Sequence, residues 1–189
     1  PEGLPFEEIE YARQLGEVIN WAQQNVHSTI YSCLASHFAL DYLFGVERDI
    51  SEKKVFGVYD HAVNRTSKSP LIAGMDDVIR APHSRWGTVP TGDLMTTPVE
   101  VLASNTAIGW MLAQASNDAG GQNVFIQGHP EYDRDDLKEE YLREKSGAVQ
   151  EPTGYYSEDG TAQLTWANDA RALHANWIAG LYEHFSKTA

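Results

Sequence analysis

The chain has 189 residues, 42% hydrophobic and 22% charged, a size and balance suited to one domain with a buried core. Its 27 acidic against 14 basic residues leave a net charge of −13, which argues against non-specific nucleic-acid binding and attachment to an anionic membrane surface. The single cysteine, Cys33, excludes an intrachain disulfide framework and a thiolate-based metal site, and no apolar run reaches membrane-spanning length, so a cytoplasmic setting is expected.

Residues 7–25, EEIEYARQLGEVINWAQQN, place Ile9, Leu15, Val18, Ile19 and Trp21 at roughly helical spacing and predict an amphipathic helix. HSTIYS follows, a β-branched and aromatic stretch that reads as a strand. From Leu34 the run LASHFALDYLFG predicts a helix that Gly45 ends. KKVFGVYDHAV is strand material and residues 64–70 a polar loop; DDVIRAP predicts a short strand that stops at Pro82. VEVLASN, AIGWMLAQA and NVFIQG give three further strands. DRDDLKEEYLREK predicts a helix capped by Asp133 or Asp135, residues 147–162 a long Gly-, Pro- and Tyr-rich loop, and Trp166 to Phe185 a closing helical stretch. Strands alternating with helices predict one α/β layered domain.

Two places in this pattern carry chemistry. Cys33 stands where HSTIYS turns into a helix, so it projects from the carboxyl end of a strand with a helix dipole beneath it. The backbone N–H of Leu34 would face an oxyanion formed beside it. The second place is Gly128-His129-Pro130-Glu131, which follows the strand VFI; His129 and Glu131, two apart in extended chain, suit a general base and the carboxylate that orients it. Residue pattern alone leaves this Cys-His-Glu reading open against a bland one, a buried packing cysteine and a solvated turn. His37, one turn along the helix from Cys33, is an alternative neighbour for the thiol. His61, His83 and His129 show no HExxH spacing, so no metal is expected. Lys53, Lys54, Arg85 and Arg143 are the cations available to an anionic substrate in this acidic chain.

The segments SCLASHFAL, EKKVFGVYDH, DDVIRAPHSRW and FIQGHPEYDRDDLKEEYLR, in this order, resemble the homoserine O-acyltransferase (homoserine transsuccinylase) family. The closing pattern from Trp166 to Asn176-Trp177 is similar as well. The resemblance implies a class I glutamine amidotransferase-like (flavodoxin-like) fold: a three-layer α/β sandwich with a mainly parallel sheet. It implies that Cys33 accepts an acyl group from acetyl-CoA or succinyl-CoA, with His129 as base and Glu131 its partner. No bound cofactor is implied, acyl-CoA being a co-substrate. Lys54 (or Lys53, should the register slip by one), Ser84 and Arg143 match residues that line the substrate pocket, Arg143 binding the amino-acid acceptor, homoserine or serine. Arg143 could instead pair with Glu139 on its own helix, and Ser84 could serve a turn; His83 and Arg85 are expected to brace the loop.

The chain departs from the family in places. Leu34, Ala35 and Ser36 follow the cysteine where the family has Trp and small residues. Glu2 falls at a position associated with donor choice, where a glutamate would repel a succinyl carboxylate and favour acetyl; a one-residue slip would put Gly3 there. Family members carry a sizeable segment before the equivalent of Pro1, so this chain is expected to be the C-terminal portion of a longer one. An exposed sheet edge would then favour pairing with that segment or a homodimer.

Overall fold

A computed structural model describes residues 4–147 and 149–188. A 3-10 turn at Phe6–Glu8 leads into α1 (Ala12–Asn25), followed by β1 (Ser28–Ser32), α2 (Leu34–Phe44) and the long strand β2 (Asp49–Val63). A second 3-10 turn, Pro70–Ile72, precedes β3 (Val78–Thr88) and the short helix α3 (Thr91–Leu94). Then come β4 (Glu100–Asn105), β5 (Gly109–Ser116), β6 (Gln122–Ile126), α4 (Asp136–Glu144) and α5 (Ala167–Thr188).

The six strands form one sheet in the order β1-β6-β5-β4-β2-β3. Both faces are covered, as the alternation in β6 requires. Phe125 points into a core with α1 and α2, where Ile19, Phe38, Leu40 and Trp110 meet. Val124 and Ile126 point into the opposite core, which Leu71, Ile72 and Leu173 of the Pro70 turn and α5 complete. A third cluster, Phe56, Val58, Leu137, Tyr155 and Trp166, fixes α4 and the loop after it over β2. Helices on two faces of a sheet give the expected α/β layers.

Strand direction differs from the mainly parallel sheet expected. Only β1 and β6 run parallel; β6 with β5, β5 with β4, β4 with β2 and β2 with β3 are antiparallel. The connections explain this. β4 reaches β5 through residues 106–108 and β5 reaches β6 through 117–121, lengths that make hairpins and not the long crossover a parallel pair needs.

Other expectations are also corrected. The strand predicted to stop at Pro82 continues to Thr88, because β3 ends the strand order and proline, lacking an N–H, is tolerated on such an edge. The first helix starts at Ala12 and not at Glu7. Its buried face is Gly16, Ile19 and Ala22, while Val18 and Trp21, a quarter-turn and more away, are exposed. Neither Asp133 nor Asp135 caps α4 with its side chain; the Asp136 carboxylate instead accepts the Asp133 N–H at 2.7 Å.

Candidate active site

Cys33 sits at the tip between β1 and α2 with φ 48° and ψ −114°, the one non-glycine residue with positive φ among the described residues. Four bonds hold it there. Its N–H donates to Ile126 O at 2.7 Å, extending the β1–β6 ladder, and its carbonyl accepts from the backbone N–H groups of Ser36 and His37 at 3.0 and 3.1 Å. The Ser36 hydroxyl adds a third donor to that carbonyl at 2.8 Å. Such a backbone conformation costs on the order of 1–3 kcal/mol and persists where surrounding structure enforces it, which is common at functional sites. Leu34 is the first residue of α2, so its N–H has no carbonyl within the helix to receive it.

His129 arrives from the neighbouring strand end. After β6, Gln127 and Gly128 carry the chain past β3, and the His129 N–H donates to Pro82 O at 2.7 Å. Gly128 is required by closeness: a Cβ there would lie 2.7 Å from Pro82 O and 3.0 Å from His83 Nε2. The imidazole stacks on Tyr132 with ring centroids 4.4 Å apart, and its Nδ1 meets Glu131 Oε1 at 2.7 Å. Cys33 is close enough to act on its charge, and is first among the groups that favour the charged imidazole. Burial alone would lower the His129 pKa; bonds and attraction to Cys33 and Glu131 outweigh it and raise the value to about 10. For Glu131, burial pushes upward but the bond to His129 prevails and holds the carboxyl below its usual range. The arrangement is a sulfur, an imidazole and a carboxylate in series, with the imidazole favoured in its charged form when the sulfur is negative.

The expected substrate residues have partners and burial of their own. Lys54 turns inward, its side chain 4% exposed, whereas Lys53 is exposed. Lys54 Nζ lies 2.7 Å from Glu144 Oε2, 3.5 Å from Glu140 Oε1 and 4.7 Å from the centroid of Phe56. Arg143, on α4, shares the same two carboxylates at 3.7 and 3.6 Å; these, and not Glu139, are its partners, and its side chain is 69% exposed. Ser84 is buried with its hydroxyl unpartnered. His37 lines the same small cavity as Cys33, but its Nε2 bonds Gln127 Oε1 at 3.0 Å and burial lowers its pKa to about 3, which makes it a poor rival base. Glu2 and Gly3 lie outside the described residues. Among the described residues no cluster of three or more His, Cys, Asp or Glu could hold a metal ion, and no helix is long and apolar enough to cross a membrane.

Sequence reasoning missed Tyr132, which supports the His129 ring, and Gln127, which organises the core beneath it. Both sit inside the GHPEYD segment or directly before it, so position beside the motif was the available signal. Arg85 is read from the sequence as a cation available to a substrate and as a brace for the loop; its burial is not readable from a motif ending in two polar residues.

The fold is that of the class I glutamine amidotransferase-like proteins. A glutamine amidotransferase from Methylobacillus flagellatus is similar with a TM-score of 0.63 at 13% identity, covering 92% of this chain and 71% of that one. A glutamine amidotransferase from Thermotoga maritima gives 0.58 at 14% identity, covering 74% and 56%. Within that fold the chain belongs to the homoserine O-succinyltransferase family, whose model matches residues 1–187. It is 38% identical over 185 residues to a homoserine O-acetyltransferase of Catenibacterium mitsuokai, covering 94% of this chain and 58% of that protein. A homoserine O-succinyltransferase of Pseudoalteromonas atlantica is 36% identical over 181 residues, covering 93% and 58%. The chain thus spans less than two thirds of the length of the curated relatives it matches.

Proposed function

We propose that this protein is an O-acyltransferase that moves an acetyl or succinyl group from acyl-CoA to the hydroxyl of homoserine, through a thioester on Cys33, as a step in methionine biosynthesis. The observation that carries the reading is the Cys33–His129–Glu131 series at a strained strand-to-helix tip, in a chain of this family. In the proposed reaction the Cys33 proton passes to His129, giving a thiolate and an imidazolium. The thiolate attacks the thioester carbonyl while the Leu34 N–H faces the developing oxyanion. Collapse breaks the bond to the CoA sulfur, which takes the His129 proton. Acylation also removes the negative charge that was raising the His129 pKa, so the imidazole is left neutral and ready to act as a base. It then accepts the proton of the acceptor hydroxyl, whose oxygen attacks the acyl-cysteine. The second collapse releases the ester and restores the charged pair.

Lys54, Ser84 and Arg143 are the proposed acceptor contacts. A guanidinium suits an α-carboxylate, and an incoming carboxylate would compete with Glu140 and Glu144 for both cations. The proposed partners are acyl-CoA, homoserine or serine, a second copy of the chain and a preceding segment of further chain, in the cytoplasm. One assay tests the activity: CoA thiol released from acetyl-CoA or succinyl-CoA with homoserine, and separately with serine. Homoserine-dependent release supports the reading. Ammonia from glutamine without CoA would favour a hydrolase instead, a second reading that the glutamine amidotransferase fold keeps in view.

A further inference from the structure

Arg85 is a buried cation with no carboxylate to answer it. The residue is 2% exposed. Its Nε donates to His83 Nδ1 at 3.2 Å, one terminal nitrogen donates to Gly87 O at 2.8 Å and to the Thr88 hydroxyl, and the other to Ile108 O at 2.5 Å. All four acceptors are neutral, and none of the salt bridges among the described residues involves Arg85. These bonds lock the guanidinium but leave its charge uncompensated, which is costly in a buried site.

The surrounding histidines do not supply an anion, and their tautomers follow from the bonds. Arg85 can only donate, so His83 accepts at Nδ1 and carries its proton on Nε2, which faces His61 Nε2 at 3.1 Å. Gln127 Oε1 receives the Val89 N–H at 2.9 Å while Gln127 Nε2 donates to Trp110 O at 2.7 Å, so His37 must present Nε2–H to that oxygen. His37 and His83 are thus neutral, by burial first and the Arg85 charge second. Two groups that could carry a counter-charge remain, the Cys33 thiol and, second to it, the Tyr59 hydroxyl. Arg85 and Cys33 line one small cavity, with Leu34, His37, Arg48, Trp86 and Gly87.

We propose that Arg85 is a positioning residue for the nucleophile: a fixed buried cation, locked by neutral acceptors, whose counter-charge is the Cys33 thiolate. The inference rests on the nucleophilic role proposed for Cys33. It gives Arg85 a part that His129 cannot play. His129 gives up its proton during turnover, whereas an arginine stays charged throughout and keeps the cavity positive when the acyl-cysteine collapses back to thiolate. Burial lowers the Arg85 pKa to about 10, with Cys33 first among the groups that oppose the fall. The other titratable groups facing Cys33 are His129 and Tyr132 after β6, Glu131 beyond them, His37 from α2 and Arg48 before β2.

The test is the pH profile of Cys33 alkylation by iodoacetamide, read by intact mass between pH 5 and 9 as the assay range, in the wild-type chain and in Arg85→Met, Arg85→Gln and Arg85→Lys. In the neutral variants the profile should move up by about one pH unit, so that alkylation at pH 6 slows about tenfold, while Arg85→Lys stays close to wild type. A folded Met or Gln variant with an unmoved profile overturns the inference, as does a Lys variant that moves as far as the neutral ones. Should neither neutral variant fold, the Lys profile decides. Neither acyl donor nor acceptor enters the measurement, so its failure is distinct from failure of the acyl-transfer reading, which the CoA-release assay tests.

Discussion

In the proposed site Cys33, His129 and Glu131 form one charge system, in which a negative sulfur favours the charged imidazole. With Cys33 ionised, His129 titrates at about 10. Removing the sulfur should mimic the acyl-enzyme, in which that position is neutral. In Cys33→Ala, an NMR titration should find the His129 pKa well below 10 and nearer the ordinary value of about 6.5. A pKa unmoved from wild type would mean that Glu131 alone holds the proton and that acylation cannot free the base. The same pair has a stability consequence. A folded-state pKa raised above the unfolded value contributes stability that is fully present below about 6.5 and is lost as pH rises through about 10. Urea titrations should therefore show wild type losing more stability than Cys33→Ala between pH 7 and 10, a range chosen to span that loss.

At the scale of elements, the segment from β6 to α4 delivers the base, and its course depends on how closely it passes β3. Gly128→Ala would put a methyl group 2.7 Å from Pro82 O, which is backbone and cannot rotate away. We expect a loss of about 1–3 kcal/mol in stability by urea melt, and a larger loss of turnover as His129 shifts from Cys33. A Gly128→Ala enzyme with wild-type turnover would show that the base tolerates displacement. Much of this element order was legible: β1, α2 with its left-handed Gly45 cap, and β6 followed by Gly-His-Pro-Glu all stand where the periodicity placed them. Strand direction was not legible, because short hairpin loops decide it and apolar runs carry no sign of direction. The outward turn of Val18 and Trp21 was missed because a loose helical spacing admits two faces.

Across the whole molecule, an acidic surface surrounds a locally cationic site. Arg48 and Arg85 lie at the Cys33 cavity, and Lys54 is buried near α4, within a chain of net charge −13. The family motifs pointed to Cys33, His129 and Glu131, but not to the buried frame around Arg85, which depends on packing from β3, β5 and α2. The described residues also leave large apolar side chains exposed on both faces, Trp21 on α1 and Ile178, Tyr182 and Phe185 on α5, with β1 paired on one side only. Such a surface favours self-association, which the shared negative charge opposes and added salt should strengthen. Light scattering should give a dimer mass whose population grows with salt; a monomer at every concentration and ionic strength would contradict this.

The central claim is the covalent step at Cys33. Intact-protein mass after incubation with acetyl-CoA, and separately with succinyl-CoA, tests it most directly, with Cys33→Ser as the control. Wild type should carry one acyl adduct, absent from the control and cleared when homoserine is added. An adduct that survives in Cys33→Ser, or one that homoserine leaves in place, would contradict it.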